Sequence, residues 1–295
     1  MTKKLKFTNQ DIHNGQSNLY LCSFASDDLK KSKIRFLKEA NAMNIYNDIK
    51  IFSFNDLFEV KKKQINGFFQ KGQKRLFGYA CWKPEIILSY LNQIPENSIL
   101  QYSDIGCSFN YHGLKRLHEY CEIVDQKNIL VFQYKKPDFK VNENIKFQIY
   151  YEFQYTKADA WHYLNIDNNS QILKTEQVWS GTMFFKNNFY SKKILSEWNN
   201  LSKINHLFDD SSSNKKNHTN FIEHRHDQSI FSLICKKENV YSVSASECEF
   251  AKLNNKKIWF HLTKYPILAK RDKKYNLKDK LINKLSSILN YDFYD

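Results

Sequence analysis

The chain predicts an α/β fold: a mixed, mostly parallel central sheet flanked by helices, followed by a basic amphipathic C-terminal tail. Short apolar runs alternate with segments of helical period through the first half, roughly 130 residues, which is the pattern of βαβ units. A length of 295 residues with 16% aromatic side chains, 23 Phe and 18 Tyr among them, supplies enough apolar area for one large core or two smaller ones. Only 7 Gly and 4 Pro argue against a collagenous or linker-like chain.

The elements follow in order. "NLYLCSF" (Asn18–Phe24) reads as a buried strand, and Asp27 and Asp28 then open a helix whose apolar positions are Ile34, Phe36, Leu37 and Ala40. "IKIFSF" (Ile49–Phe54) is a second strand. Pro84 sits where a helix start tolerates it, ahead of a buried stripe of Ile86, Ile87, Tyr90 and Leu91. "SILQYS" is a third strand, a helix through Leu114–Cys121 follows, and "NILVFQY" is a fourth.

The second half is less regular. In "TKADAWHYL", Thr156 and Asp159 have capping-box spacing with Asp in place of Glu. "VWSGTMFF" is a strand, "YSKKILSEWNNL" a helix, "DDSSSNKKNHTN" (Asp209–Asn220) a polar loop without pattern, and "HDQSIFSLICKK" a helix. No internal repeat is visible. A single domain over residues 1–265 and a tail over 266–295 are expected. In that tail Asn276 can cap a helix with Leu277, Leu281, Ile282, Leu285, Ile288 and Leu289 on one face and Lys278, Lys280 and Lys284 toward the other. Such a face suits an anionic membrane surface or packs on the domain.

The formal charge of +14 draws phosphates, nucleic acid or an acidic membrane face. Six cysteines form no C-x-x-C pair, which speaks for reduced thiols in a cytoplasmic protein over a zinc ribbon or a disulfide framework. The opening "MTKKLKFTNQ" has charge without an apolar stretch, so no secretory signal is expected. The apolar runs are too short to span a bilayer.

The chemistry centres on Asp104. A carboxylate at the end of a central strand lies where open α/β sheets bind ligands. There it can hold a hard divalent ion through oxygen, and Gly106 permits close approach of a ligand. Asp227 and Gln228 open a helix whose apolar face uses Ile230, Phe231 and Ile234, so their side chains project from its first turn. Asp at that position also complements a helix dipole. His218, His224 and His226 raise zinc, but an i, i+2 spacing points such side chains apart on a strand and does not match a helical pair.

"RLFGYACWKPEIILSYLNQIPENSILQYSDIGC", with "EFQYTKADAW", "VWSGTMFFKNN" and "EHRHDQSIFSLI" in that order, resembles a bacterial group of GT-A-fold glycosyltransferases of capsule and lipopolysaccharide synthesis. The resemblance runs from about Asn18 to His261 and implies a Rossmann-like GT-A fold. It also implies a hexosyltransferase-type enzyme that moves a sugar from a nucleotide-diphosphate donor to a carbohydrate or lipid-linked glycan acceptor. Most such enzymes carry Asp-x-Asp, whereas the second acidic position here is Gly106.

Carried over residue by residue, the resemblance places Ser23, Phe24 and Ala25 at the nucleotide base and ribose. Arg75, Tyr79, Trp82, Lys83 and Tyr102 then flank the donor. Asp104 and His261 would ligate Mn²⁺ or Mg²⁺, with Lys264 at the diphosphate. Lys264, Lys270 and Arg271 are equally explained as solvated charges of the tail. Gly181 lets a sugar pass close to the backbone, with Trp179 stacking on its ring, or else marks a bulge. Asp227 and Gln228 hold the donor near its anomeric carbon in the retaining outcome, or Asp227 is the general base in the inverting one. Expected partners are thus the donor, the glycan acceptor and the inner face of the cytoplasmic membrane, without nucleic acid. The competing class is a basic nucleic-acid-binding protein, for which "KKKQINGFFQKGQKRLFGY" interleaves charge and aromatics.

Overall fold

The strand runs read from the sequence come together in one six-stranded sheet in the computed structural model of the chain, which describes residues 18–137 and 142–270. The strands are β1 (Leu19–Phe24), β2 (Tyr46–Phe52), β3 (Ile99–Ser103), β4 (Ser108–Phe109), β5 (Ile129–Gln133), β6 (Ile145–Lys146), β7 (Val178–Lys186), β8 (Ser242–Ser244), β9 (Ala251–Leu253), β10 (Lys256–Ile258) and β11 (Ile267–Leu268). The main sheet has the order β2-β1-β3-β7-β5-β8, and β10-β9-β6 and β11-β4 form two small sheets. Pairing is parallel for β1 with β2 and β3 and for β5 with β8, and antiparallel for β7 with β3 and β5. One reversed strand therefore sits inside an otherwise parallel sheet.

The helices are α1 (Lys30–Ala42), α2 (Glu59–Gln70), α3 (Leu76–Tyr79), α4 (Lys83–Leu91), α5 (Leu114–Lys127), α6 (Glu152–Tyr155), α7 (Ala158–Tyr163), α8 (Phe189–Leu201), α9 (Asn205–Phe208) and α10 (His226–Lys237). Successive strand side chains point to opposite faces, so one sheet feeds two cores. Cys22, Phe24, Tyr102, Val131, Met183 and Phe185 pack with α2, α4, α8 and α10 on one face. Leu21, Ile99, Leu130, Phe132 and Phe184 pack with α1 and α5 on the other. Among the described residues no helix is long and apolar enough to cross a membrane.

Two expectations need correction. Ile34 is 69% exposed, because the buried face of α1 is Ser32, Arg35, Phe36 and Ala40. Thr156 and Asp159 form no capping box: Thr156 Oγ1 donates to Glu152, and Asp159 instead accepts from Ser213 Oγ and the backbone of Asn214 and Lys215. Those bonds pin the 209–220 loop, which has no helix or strand. In the sheet β7 inserts between "SILQYS" and "NILVFQY", an order about which the sequence made no statement. Of the expected tail, residues 266–270 are described and include β11, which pairs with β4, whereas Arg271, Asn276 and the rest of residues 271–295 lie outside the described residues, as does the opening decapeptide.

Candidate functional site

A cleft of about 540 Å³ opens at the carboxyl edge of the sheet. β1 and β3 end there, and because β7 runs the other way it brings its second and third residues, Trp179 and Ser180, to the same edge. Phe24, Arg75, Trp82, Lys83, Tyr102, Asp104, Asp227 and Gln228 all line it, from segments far apart in the chain. The volume falls in the range of small-ligand pockets, about 300–1,000 Å³.

Lys83 lies at the centre. Its side chain, 4% exposed, begins α4, where Pro84 in the first turn needs no backbone partner. Its Nζ is 2.6 Å from Asp227 Oδ2 and 3.3 Å from Asp104 Oδ1, and donates to Ser180 O at 3.1 Å. Burial works against the ammonium, yet Asp104 and Asp227 outweigh it and raise the Lys83 pKa above the usual lysine value.

Each carboxylate has further supports. Tyr102 OH donates to Asp104 Oδ1 at 2.7 Å, and the Asp104 amide donates to Gly181 O at 2.8 Å. Burial and the Asp104 charge push the Tyr102 phenol well above its ordinary pKa, so it remains a donor. Beyond Asp104 the chain is clamped by Arg35, a buried guanidinium that donates to Ile105 O and Cys107 O, each at 2.8 Å. Ser180 Oγ donates to Asp227 Oδ2 at 2.8 Å. Gln228 Nε2 donates to Gln177 Oε1 at 2.7 Å, and Gln177 is in turn tied to Glu152, Tyr155 and Thr156. The first turn of α10 is thus anchored to a buried polar network before any ligand arrives.

The "LFGYA" segment forms the wall beside Phe24. Leu76, Phe77, Gly78, Tyr79 and Ala80 all have positive φ, 47°, 53°, 82°, 58° and 54°, and the Tyr79 and Ala80 amides bond back to Arg75 O and Leu76 O. This is one turn of left-handed helix. Each non-glycine residue in that state costs about 1–2 kcal/mol, so packing must over-determine it. Trp82 Nε1 donates to Phe77 O, the Trp82 ring stacks on Phe24 at 3.9 Å, and Tyr79 packs on Phe68 and His226. Such strain gathers at ligand sites.

Several sequence assignments move. Tyr79 is buried beneath the wall and does not line the cleft; neither do Ser23 or Ala25, and Ser26 and Asp28 face it instead. Gly181 gives no room to a sugar: a Cβ there would lie 2.1 Å from the Trp179 ring, and the pairing of β5 with β7 slips at this point. The glycine seats the Trp179 indole in a bulge. His261 is buried in a turn where its Nε2 donates to Ser246 O and Glu249 O, away from the cleft lining. Lys264 and Lys270 also lie outside that lining.

The sequence reading missed Arg35 and Arg225. The Arg225 guanidinium sits in the corner between the perpendicular rings of Tyr150 and Tyr155, 3.7 and 4.0 Å from their centroids, and shares Glu223 with Arg75. Arg225 stands two positions before Asp227, so its presence in the same motif was the available signal. Arg75 also pairs with Asp210 at 3.3 Å.

A divalent ion does not fit this donor set. Among the described residues no group of three or more His, Cys, Asp or Glu converges, and the ammonium of Lys83 already lies against Asp104 and Asp227, two of the four carboxylates that line the cleft. His224 and His226 do not form a zinc pair either: each donates a ring N–H to a backbone carbonyl, Leu207 O and Phe208 O, and burial holds both below the ordinary imidazole pKa.

No protein-family model matches the chain, and a search of curated proteins finds no match. Among solved structures the chain is similar to mouse xyloside xylosyltransferase 1, at 12% identity over 79% of this chain and 87% of that one, with a TM-score of 0.37. It is also similar to a glycosyltransferase involved in glycosylation of the major capsid of PBCV-1, at 10% identity over 87% and 98%, TM-score 0.44. A third is the WbbM bifunctional glycosyltransferase, at 13% identity over 79% of this chain and 40% of that one, TM-score 0.42.

Proposed function

We propose that the chain is a glycosyltransferase of GT-A-like fold that moves a sugar from a nucleotide-diphosphate donor to a glycan acceptor in cell-surface polysaccharide synthesis. The observation that carries this reading is the junction at Lys83. It draws Asp104, from the end of β3, and Asp227, from the first turn of α10, into one cleft at the carboxyl edge of the sheet. Such edges bind nucleotides in open α/β sheets, and three of the four motifs that carry the family resemblance contribute residues to the lining of this cleft.

Each residue has a task in that reaction. Phe24 and Trp82 offer a flat apolar wall for the base, and Arg75 and Arg225 offer planar forks for diphosphate oxygens. Asp227, already holding Ser180 and Lys83, serves as a fixed negative charge beside the anomeric carbon, with Gln228 orienting the sugar. The acceptor oxygen bonds to that carbon as its bond to the phosphate oxygen breaks. The electron pair stays on the departing nucleoside diphosphate, which takes the acceptor's proton, the outcome being retention.

Thermal shift with UDP and GDP, set against salt-dependent retention on single-stranded DNA, tests the class. Stabilisation by a nucleotide with weak DNA retention is expected. Tight DNA binding without any nucleotide response overturns the reading in favour of a nucleic-acid-binding protein. Contact with an anionic membrane rests on the sequence of the tail. Deleting residues after Lys270 is expected to lower co-sedimentation with anionic liposomes, and equal binding by both forms rejects that role.

A further inference from the structure

We infer that Lys83 stands where a divalent cation would have to bind, so that this chain engages its nucleoside diphosphate without a metal ion. The inference rests on the donor reading above but concerns a separable property, the occupancy of the position between two carboxylates.

A cation site needs oxygens that converge on open space. Asp104 and Asp227 do converge, but on Nζ of Lys83. The ammonium has three protons and four acceptors around it: Asp227 Oδ2 at 2.6 Å, Ser180 O at 3.1 Å, Asp104 Oδ1 at 3.3 Å and Ser180 Oγ at 3.4 Å. The Tyr102 ring lies 5.3 Å away and closes one side. With the lysine side chain only 4% exposed, a divalent ion at this point would bring a second cation against a buried first one. His261, expected from the resemblance as a metal ligand, is engaged with Ser246 O and Glu249 O instead.

Lys83 is consequently a positioning residue. Its protons are used within the protein, and it holds two acidic side chains at fixed separation. The charge of the diphosphate falls to Arg75 and Arg225, both cleft-lining and both paired to Glu223, at 3.1 and 3.4 Å. Phosphate oxygens exchange with that carboxylate when the donor enters. Arginine forks suit this, being planar, bidentate and permanently charged.

The test is direct binding. Mn²⁺ is titrated into the full chain, alone and with UDP, and free Mn²⁺ is followed by EPR for wild type and Asp104→Asn. No difference between the two proteins is expected. Loss of free Mn²⁺ in wild type that disappears in Asp104→Asn overturns the inference. Calorimetry of UDP and GDP in EDTA and in Mn²⁺ is the second arm: affinities within twofold are expected, and binding that vanishes in EDTA overturns it. Absence of nucleotide binding under both conditions sinks the transferase reading instead, with the Mn²⁺ titration still deciding occupancy. In Lys83→Met, confirmed folded by circular dichroism, the freed carboxylates are expected to bind Mn²⁺ at least tenfold more tightly than wild type. No gain there means the ammonium is not what excludes the ion. Should that variant not fold, the wild-type titration decides alone.

Discussion

Nζ of Lys83 lies 2.6 Å from Oδ2 of Asp227, an ion pair in which both side chains are 4% exposed and which joins the start of α4 to the first turn of α10. A buried pair is dangerous to break, because the surviving charge has no water to turn to. Lys83→Met is expected to lower unfolding free energy by about 3–5 kcal/mol. Adding Asp227→Asn should recover part of the loss. Urea melts of the two single variants and the double variant give the coupling, and strictly additive losses would contradict it.

Asp104 differs from Asp227 in being 44% exposed at the cleft mouth. Removing it leaves Lys83 with Asp227 and Ser180, so the fold should survive. Asp104→Ala is expected to keep its melting temperature, with a stability change within about 1 kcal/mol. Turnover of its nucleotide sugar should fall by about 10²-fold or more. Retained activity in a screen of nucleotide sugars would remove Asp104 from the site.

Acid should weaken the protein through histidine. Burial pushes His261 down to about 4 and His224 well below the ordinary imidazole value, and His226 also lies below it. Unfolded histidines titrate near about 6.5, so between that pH and the folded values the unfolded chain binds more protons. Stability contributed by these rings is therefore full above about 6.5 and is lost as pH falls. Asp159, whose hydrogen bonds from Ser213, Asn214 and His206 outweigh its burial and lower its pKa, adds a loss of the same sign at lower pH. Glu85, raised by burial, works the other way. Melting temperature is expected to drop between pH 7 and pH 4.5, and to drop less in His261→Gln. A flat profile for wild type rejects the buried neutral state.

Gly181 tests the Trp179 seat. A Cβ would stand 2.1 to 2.5 Å from three atoms of the indole, leaving the ring no room. Gly181→Ala is expected to cost about 1–3 kcal/mol and to displace the ring. Tryptophan emission should shift and nucleotide affinity should weaken together. An unchanged emission spectrum would show that the indole is seated by other contacts.

Periodicity alone placed β1, β2, β3, β5, β7, α4, α8 and α10, because each carries its own apolar repeat or its own start signal, such as Pro84. The same local reading put Asp104 at a strand mouth and Asp227 in a first helical turn, and both belong to the cleft. It could not see that β7 would enter the sheet backwards between β3 and β5, since strand order follows from long-range packing and leaves no mark on local period. That insertion brings Ser180 to Asp227 and turns Gly181 toward Trp179 and away from the cleft. Nor could spacing reveal Lys83 as the cation between two acids, or Arg35 as the clamp behind Asp104. A charged residue reads as solvated until the fold shows it surrounded, and its partners here lie up to 144 positions away, from Lys83 to Asp227. His261 failed for the same reason: a polar residue after a strand-like run has no local signal for facing inward, and only the tertiary packing supplied the carbonyls that hold it.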